Sequence, residues 1–154
     1  MINKVFGIGL SKTGTSTLGE ALNLLGIRTI HYPDDPVTLA ELRSGNFRLS
    51  ILNHFQAVVD TPVVSYYAQL DQVYPGSKFI LTIRDMDSWL TSVQKHWETS
   101  ATFTNQPLRK QFQEFIRTAV YGCIEFNRDR FQYVYNTHQQ NVIQYFKDRP
   151  GDLL

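Results

Sequence analysis

The residues best suited to chemistry lie in the segment SKTGTST, residues 11 to 17. This segment joins a predicted buried strand, VFGIGL, to a predicted helix that begins near Thr15. In such a turn the unpaired N–H groups of the helix N-terminus converge, and the helix dipole adds partial positive charge. We therefore predict an anion-binding loop. Gly14 lets the backbone approach the anion, Lys12 adds a mobile cation, and the next three residues supply hydroxyl groups (Thr15, Ser16, Thr17).

The position of the lysine separates two chemistries. The spacing G-x-x-x-x-G of nucleotide kinases is present from Gly9 to Gly14. In that pattern a lysine follows the second glycine directly and binds β- and γ-phosphates. Here Thr15 occupies that position, and the lysine is Lys12, ahead of Gly14. The alternative is an ordinary connecting loop without function. The combination of a strand, glycines, hydroxyl residues and a helix start in one segment argues against it.

A second segment, KFILTIRDMDSWLTSVQKHW, reads as a strand, an arginine at its C-terminal end and a helix. Ligands of open α/β sheets lie beyond the carboxyl ends of the strands, which is where Arg84 is expected. The planar fork of arginine suits phosphate, and Ser92 follows on the helix. Taken singly, Arg84 could instead pair with Asp85 or Asp87, and Ser92 could face solvent.

Together these segments resemble the sulfotransferases that use 3′-phosphoadenosine 5′-phosphosulfate (PAPS), over residues 4 to 147. The first resembles the family's K-[ST]-G-T-[ST] loop, and the second resembles its strand-end arginine and helix serine. The resemblance implies that Lys12 reaches the oxygen that bridges phosphate and sulfuryl group. It also implies that Arg84 and Ser92 bind the 3′-phosphate and that no metal is required. The 5′-phosphate would be held by the loop residues Ser11, Lys12, Thr13, Gly14, Thr15, Ser16 and Thr17.

The sequence departs from that family at two places. Cytosolic members have a tryptophan that stacks on adenine where this chain has Thr17. They also have a late R-K-G segment on the 3′-phosphate, and no such segment occurs here. Contacts with the adenosine part of the donor must therefore differ from theirs.

An acidic residue at the end of a third strand is the first candidate for the general base. Asp60 ends the run QAVVD, close to where Lys12 is expected. Asp60 could also be the N-cap of a helix that begins at Pro62. His31, at the end of the second strand, is the second candidate and could instead line the acceptor pocket. His54 is a weaker candidate, and the other two histidines are expected on helix surfaces (His96, His138).

Composition restricts the class of protein. The chain has 154 residues, 42% hydrophobic and 19% charged, with a net charge of +1, so a folded domain without nucleic-acid partner is expected. No signal peptide or membrane-spanning run is present in the sequence, which predicts a cytoplasmic protein without a membrane partner. The single cysteine, Cys123, is expected in a helix as a small buried residue.

Strands and helices alternate along the chain. This predicts one α/β domain over residues 1 to 154, a three-layer P-loop-type fold with a central parallel sheet flanked by helices and a C-terminal helical segment. Strands are expected at 4–10, 27–32, 56–60 and 78–83, and helices at 15–25, 36–43, 62–73, 87–97, 107–123 and 128–147. A loop at 99–107 is a candidate lid. The ending RPGDLL resembles the start of another strand, so we expect that a natural C-terminal portion is absent.

The sequence therefore predicts a sulfotransferase that moves a sulfuryl group from PAPS to a hydroxyl or amine of a small-molecule or glycan acceptor. One alternative is a P-loop kinase or NTPase, in which QAVVD would deliver an acid to magnesium. The other is a non-catalytic module that binds a nucleotide. No pattern in the sequence indicates the oligomeric state.

Overall fold

The central sheet explains where the loops meet. The structure is a computed structural model, and it describes residues 3–100 and 106–154. Four short parallel strands lie in the order β2-β3-β1-β4. In the central register, Phe6 pairs with Val58 on one side and with Phe79 on the other. The strands are β1 (Val5–Gly7), β2 (Thr29–His31), β3 (Ala57–Val59) and β4 (Lys78–Ile80).

Helices follow each strand, which confirms the predicted α/β fold. They are α1 (Thr15–Leu24), α2 (Pro36–Arg43), α3 (Tyr67–Val73), α4 (Met86–Ser100), α5 (Pro107–Ile116) and α6 (Arg128–Phe146). Three-ten turns cover Ser50–Asn53, Val63–Tyr66 and Pro150–Asp152, and a π-helical turn covers Arg117–Tyr121. After the last turn, Leu153 forms an isolated parallel bridge with Phe79 at the β4 edge.

Side chains alternate between the two faces of the sheet, as the strand period of two requires. One face packs against α1 through a cluster that contains Leu22, Ala57 and Val59. The opposite face packs against α3, α6 and the three-ten turn at Ser50–Asn53, through Phe6, Val58 and Phe146 among others. Because apolar residues face both ways, helices cover the sheet on both sides in three layers.

A separate core holds α4 against α6. It contains both tryptophans, Trp89 and Trp97, with Phe131 between them at 6.1 and 4.9 Å between ring centroids. Aromatic side chains bury more area than other residues, so this cluster fixes α4 firmly. The beginning of α4 is thereby held close to the end of β4.

Several predicted boundaries differ from the structure. The predicted helix at 62–73 is a three-ten turn followed by α3, and the predicted helix at 107–123 changes to a π turn and ends at Gly122, where φ is 67°. Cys123 therefore lies outside a helix, where it is half-buried. The strands are shorter than predicted because their last residues leave the sheet to form loops. Residues 101–105 of the predicted lid at 99–107 lie outside the described residues.

The strand order places the loops that carry the candidate site at one edge. After β3, the chain crosses β1 to reach β4 on its other side. Open α/β sheets bind ligands outside the carboxyl ends of the strands, at the position where the order reverses. The loops that follow β1, β2, β3 and β4 all leave the sheet at this carboxyl edge. Their residues can therefore form one site.

Candidate active site

A cavity of about 720 Å³ opens at the carboxyl edge of the sheet. This volume is in the range of ordinary small-molecule sites, about 300–1,000 Å³. Of the site residues predicted from the sequence, all except Thr13 line it. The cavity is lined by Ser11, Lys12, Gly14, Thr15, Ser16, Thr17, His31, Tyr32, Asp60, Arg84, Ser92, His96, Thr99, Arg109 and Gln113.

The loop between β1 and α1 takes up the strand–turn–helix arrangement expected of an anion-binding loop. Gly14, which precedes α1, has φ 101°, a left-handed conformation that glycine adopts at little cost. Gly9 is required for space, since a Cβ there would lie 2.0 Å from Thr82 Oγ1. The first N–H groups of α1 have no partner within the helix and lie beside the cavity. The loop can therefore bind an anion with backbone donors and hydroxyls.

Backbone strain concentrates at this edge. Among the described residues, three non-glycine residues have positive φ, namely Lys12 (73°), Tyr32 (53°) and Asp60 (76°), and all three line the cavity. Such conformations cost about 1–3 kcal/mol and cluster at functional sites.

Trp89 supports the loop from behind. Its indole Nε1–H donates to the Ser11 carbonyl at 2.9 Å, and its side chain is fully buried in the core under α4. No local pattern in the sequence indicates this contact with the loop, because it depends on how α4 packs.

Lys12 and Arg84 meet at the mouth of the cavity. The Arg84 guanidinium donates to the Lys12 carbonyl at 3.2 Å, so the loop after β1 and the end of β4 lie side by side. The alternative in which Arg84 pairs with a neighbouring acid is not observed. Asp85 instead accepts from the Ser88 N–H at 2.9 Å, and Asp87 pairs with Arg128 at 2.8 Å. Tyr135 holds the backbone of residue 84 through a hydroxyl that accepts from its N–H at 2.9 Å and donates to its carbonyl.

Asp60 lies beneath the loop, where it accepts four hydrogen bonds. Oδ1 accepts from the Ser11 hydroxyl and from the Thr61 N–H at 2.5 Å. Oδ2 accepts from the Thr15 hydroxyl at 2.5 Å and lies 3.0 Å from His31 Nε2. Its side chain does not cap the turn at Val63–Tyr66, so the predicted N-cap is not formed. Asp60 therefore ties three strand ends together.

Burial opposes the charge on Asp60, but the hydrogen bonds outweigh it. Desolvation raises the pKa of this carboxyl, while the bonds from His31, Ser11, Thr15 and the Thr61 N–H lower it, and the net pKa is below its usual value. Asp60 is thus ionised at neutral pH with its lone pairs occupied. This geometry suits a residue that positions its neighbours better than one that takes a proton from the acceptor.

His31 stands on the loop side of the cavity. Besides Asp60, its Nε2 lies 3.3 Å from the Thr15 hydroxyl and 3.4 Å from the Ser16 hydroxyl. The ring is therefore close to the donors expected to hold a phosphate.

Two predicted roles differ from the observed positions. Thr13 faces inward: its N–H and its hydroxyl both donate to the Leu10 carbonyl, at 3.2 and 2.6 Å, and its side chain is buried. It stabilises the loop from within and does not line the cavity. His138, predicted on a helix surface, is half-buried, with Nε2 2.7 Å from the Ile8 carbonyl. It connects α6 to the end of β1, and burial lowers its pKa.

Helix α4 contributes a polar stripe that the sequence analysis found only in part. Ser92, His96 and Thr99 line the cavity along one face of this helix. His96 lies on the exposed surface of α4, as predicted, and this exposed surface faces the cavity. Its i, i+4 spacing from Ser92 was a signal that could have found it.

The wall opposite the loop consists of Tyr32, Arg109 and Gln113. Tyr32 follows β2 directly and packs edge-on against Phe112 with ring centroids 5.4 Å apart. Burial and the nearby Asp60 charge raise the pKa of the Tyr32 phenol to about 12, so it remains a donor. Arg109 and Gln113 lie on α5, whose placement depends on packing of Phe112 and Ile116 against Leu39. No local pattern in the sequence indicates that placement.

A second, smaller void of about 30 Å³ lies beside the main cavity and shares Ser11, Tyr32, His96 and Gln113 with it. Its other walls are largely apolar and include Val93, Trp97, Ile116 and Tyr121. Arg84 and Ser92 line the main cavity but not the void. The void therefore marks a side of the cavity away from these two residues.

The described part of the chain contains neither a group of potential metal ligands nor a helix that could span a membrane. Within 3–100 and 106–154, no three His, Cys, Asp or Glu side chains are grouped so that they could hold a metal ion. Over the same residues, none of the helices combines the length and apolarity that crossing a bilayer requires.

Comparison with known proteins gives a family. A family model described as a sulfotransferase domain matches residues 4–154. Among curated proteins, Ava biosynthesis cluster protein M of Aspergillus versicolor is 31% identical over 108 residues. That match covers 59% of this chain and 42% of the relative, so it spans less than half of the relative's length. Among solved structures, a gluconokinase from Sinorhizobium meliloti 1021 aligns over 95% of this chain and 97% of that chain, with 14% identity and a TM-score of 0.42.

Proposed function

The chain belongs to the sulfotransferase domain family, and we propose that it transfers a sulfuryl group from PAPS to a hydroxyl or amine acceptor by in-line displacement. The observation that carries this proposal is the contact between Arg84 and the Lys12 carbonyl at one cavity. The two groups proposed for opposite ends of the nucleotide lie at adjacent strand ends. A single adenosine ligand can therefore reach both.

The roles of the nucleotide-binding residues follow from their places around the cavity. The N-terminus of α1, with the hydroxyls of Ser16 and Thr17, binds the 5′-phosphate. Arg84 and Ser92 bind the 3′-phosphate, for which a planar guanidinium is suited. Thr13 contributes only indirectly, because its donors are used within the loop.

Lys12 supplies the main electrostatic contribution to the chemistry. When PAPS is bound, it provides a good leaving group, and negative charge develops on the oxygen that bridges phosphorus and sulfur. Lys12 lines the cavity, and its backbone has a positive φ of 73°. A cation at this oxygen stabilises the transition state more than the ground state.

Asp60 and His31 act by positioning in this proposal. Asp60 holds the hydroxyls of Ser11 and Thr15, and His31 contacts the hydroxyls of Thr15 and Ser16. Both residues were candidates for the general base from their positions in the sequence. Their bonds within the site support a role in fixing the phosphate-binding hydroxyls.

A thermal shift experiment tests the proposed function. In EDTA, the product 3′-phosphoadenosine 5′-phosphate (PAP) should raise the Tm. Ligand at 100 times Kd adds about 2.7 kcal/mol to the free energy of unfolding, which is a shift of several degrees for a domain of this size. No shift at saturating PAP, with folded protein, would contradict the proposal.

A P-loop kinase is the second candidate, and one observation favours it. Asp60 at the end of β3 contacts the Thr15 hydroxyl at 2.5 Å, and in P-loop NTPases a strand-end acid and a loop hydroxyl together hold magnesium. No lysine follows Gly14 to bind β- and γ-phosphates, which argues against this candidate. A Tm shift with ATP that requires magnesium and is lost in Asp60→Asn would favour it over sulfuryl transfer.

Two features remain predictions from the sequence. They are the choice of a small molecule or glycan as acceptor, and a cytoplasmic location. A protein that binds PAP with the expected affinity and sulfates none of a panel of phenols, alcohols, amines and glycans would instead be a non-catalytic module.

A further inference from the structure

We propose that His96 is the general base that takes the proton from the acceptor, an inference that rests on the proposed function. The position of His96 in the cavity, its contacts and its charge environment each lead to this assignment. Neither Asp60 nor His31 meets the same conditions.

Helix α4 places His96 on the acceptor side. Ser92, one turn earlier, lies toward Arg84 and the proposed 3′-phosphate site. Four residues along a helix advance it by about 6 Å, so His96 is displaced from Ser92 along the same face. His96 lines both the main cavity and the small void, whereas Arg84 and Ser92 line only the main cavity. An acceptor that enters beside the void therefore meets His96.

The contacts of the two cavity histidines differ. His31 is engaged with Asp60 and two loop hydroxyls. In contrast, the His96 ring makes no hydrogen bond or ion pair with the residues that the structure describes. Its nitrogens are thus available to an acceptor hydroxyl, as a base requires.

The charges around His96 keep it neutral. Partial burial and the positive charges of Lys12 and Arg117 lower the pKa of His96, and the negative charge of Asp60 opposes them in part. Tyr32 and Gln113 on the facing wall carry no charge at neutral pH, and Arg109 adds a further cation to the cavity. A neutral imidazole in this positively charged cavity has a lone pair that can accept a proton.

The step balances without another reactant. The acceptor oxygen forms a bond to sulfur while the bond between sulfur and the bridging oxygen breaks, and that electron pair leaves with PAP beside Lys12. The hydroxyl proton passes to His96. Release of that proton to solvent restores the neutral imidazole.

Turnover and nucleotide binding are measured on His96→Gln and on a control, His54→Gln. The side chain of His54 is exposed and lies outside the cavity. The probes are labelled PAPS with 4-nitrophenol and with water as acceptors. His96→Gln should retain the Tm shift with PAP and lose about 10²–10⁴-fold in kcat. Wild type and His54→Gln should lose activity below the lowered pKa of His96, and this acid limb should vanish in His96→Gln. Full activity of His96→Gln with the limb retained, or loss of PAP binding, would overturn the proposal.

A nuclear magnetic resonance titration of the His96 ring tests the geometry without an acceptor. The pKa of His96 in the wild type should lie below the ordinary histidine value and should rise in Lys12→Met. An ordinary pKa that does not respond to Lys12→Met would show that the two groups do not face each other, and the inference fails. If PAP does not bind at all, the proposed function fails instead, so the two failures are distinguishable.

Discussion

At the scale of single residues, the proposed mechanism depends most on the side chain of Lys12. Lys12→Ala should reduce turnover of labelled PAPS by about 10²–10³-fold, the usual loss when one preorganised donor to a developing charge is removed. Its side chain is exposed, so the Tm should change little. Lys147→Ala, at another exposed lysine outside the cavity, is the matched control. Unchanged turnover in Lys12→Ala would remove the basis for the mechanism.

Asp60 gives a residue-scale prediction about stability and pH. The pKa of Asp60 is lower in the folded protein than in the unfolded chain, where it is about 3.9. The ionised Asp60 therefore stabilises the fold at pH values above the unfolded-state pKa. This stabilisation is lost as the pH falls through the folded-state pKa. Asp60→Asn should lower the free energy of unfolding at pH 7 by about 1–3 kcal/mol, because buried donors lose a charged partner. The difference from wild type should shrink as the pH falls below about 4.

Urea unfolding at pH 7, 5 and 3 measures this effect. Asp148→Asn is the control, since Asp148 is exposed and no hydrogen bond or ion pair is found for it among the described residues. A difference between wild type and Asp60→Asn that stays the same at pH 3 and pH 7 would mean that Asp60 is not held ionised by its four donors.

At the scale of elements, α4 does two things: it lines the cavity with Ser92, His96 and Thr99, and it supports the loop through Trp89. Trp89→Phe removes the indole N–H that the Ser11 carbonyl accepts, and Trp97→Phe removes the same kind of bond to the Ile124 carbonyl, at 2.8 Å. Trp89→Phe should lose about 1–3 kcal/mol of unfolding free energy, because the Ser11 carbonyl is left unpaired. Trp97→Phe should lose less from its hydrogen bond, because the Ile124 carbonyl still accepts from the Arg117 guanidinium at 3.1 Å. Only Trp89→Phe should also weaken PAP binding, because only this substitution removes a hydrogen bond to the loop between β1 and α1.

Calorimetric titration of both tryptophan variants with PAP separates the two effects. If Trp89→Phe binds PAP as tightly as Trp97→Phe does, the indole bond has no part in shaping the loop.

The elements also show what could be predicted from the sequence. The strand, loop and helix from Val5 to Leu24 follow from local signals, namely an apolar run, left-handed glycine and helical periodicity. The π turn at Arg117–Tyr121 and the end of its helix were not predicted, since Gly122 in the sequence does not by itself indicate where the hydrogen-bond pattern widens. The inward direction of Thr13 was missed for a similar reason: it is set by Thr82, 69 residues away, at 2.7 Å between the hydroxyl oxygens.

At the scale of the whole molecule, the strand order brings the site together. Residues at the ends of β1, β3 and β4 could be predicted to meet because parallel strands share one carboxyl edge. Residues on α5 could not, because Arg109 and Gln113 reach the cavity only through the packing of Phe112 and Ile116. The sequence thus indicated the cavity residues that we propose for nucleotide binding, and it did not indicate those that α5 contributes.

The central claim is that two strand ends bind the two phosphates of one nucleotide. Calorimetric titration of PAP and of adenosine 5′-monophosphate, which lacks the 3′-phosphate, into wild type, Arg84→Ala and the exposed control Arg48→Ala tests it most directly. Wild type and Arg48→Ala should prefer PAP. Arg84→Ala should bind PAP about 10- to 100-fold more weakly, with little change for the monophosphate, because only the 3′-phosphate contact is lost. A preference for PAP that survives in Arg84→Ala, or an equal loss for both nucleotides, would contradict the account.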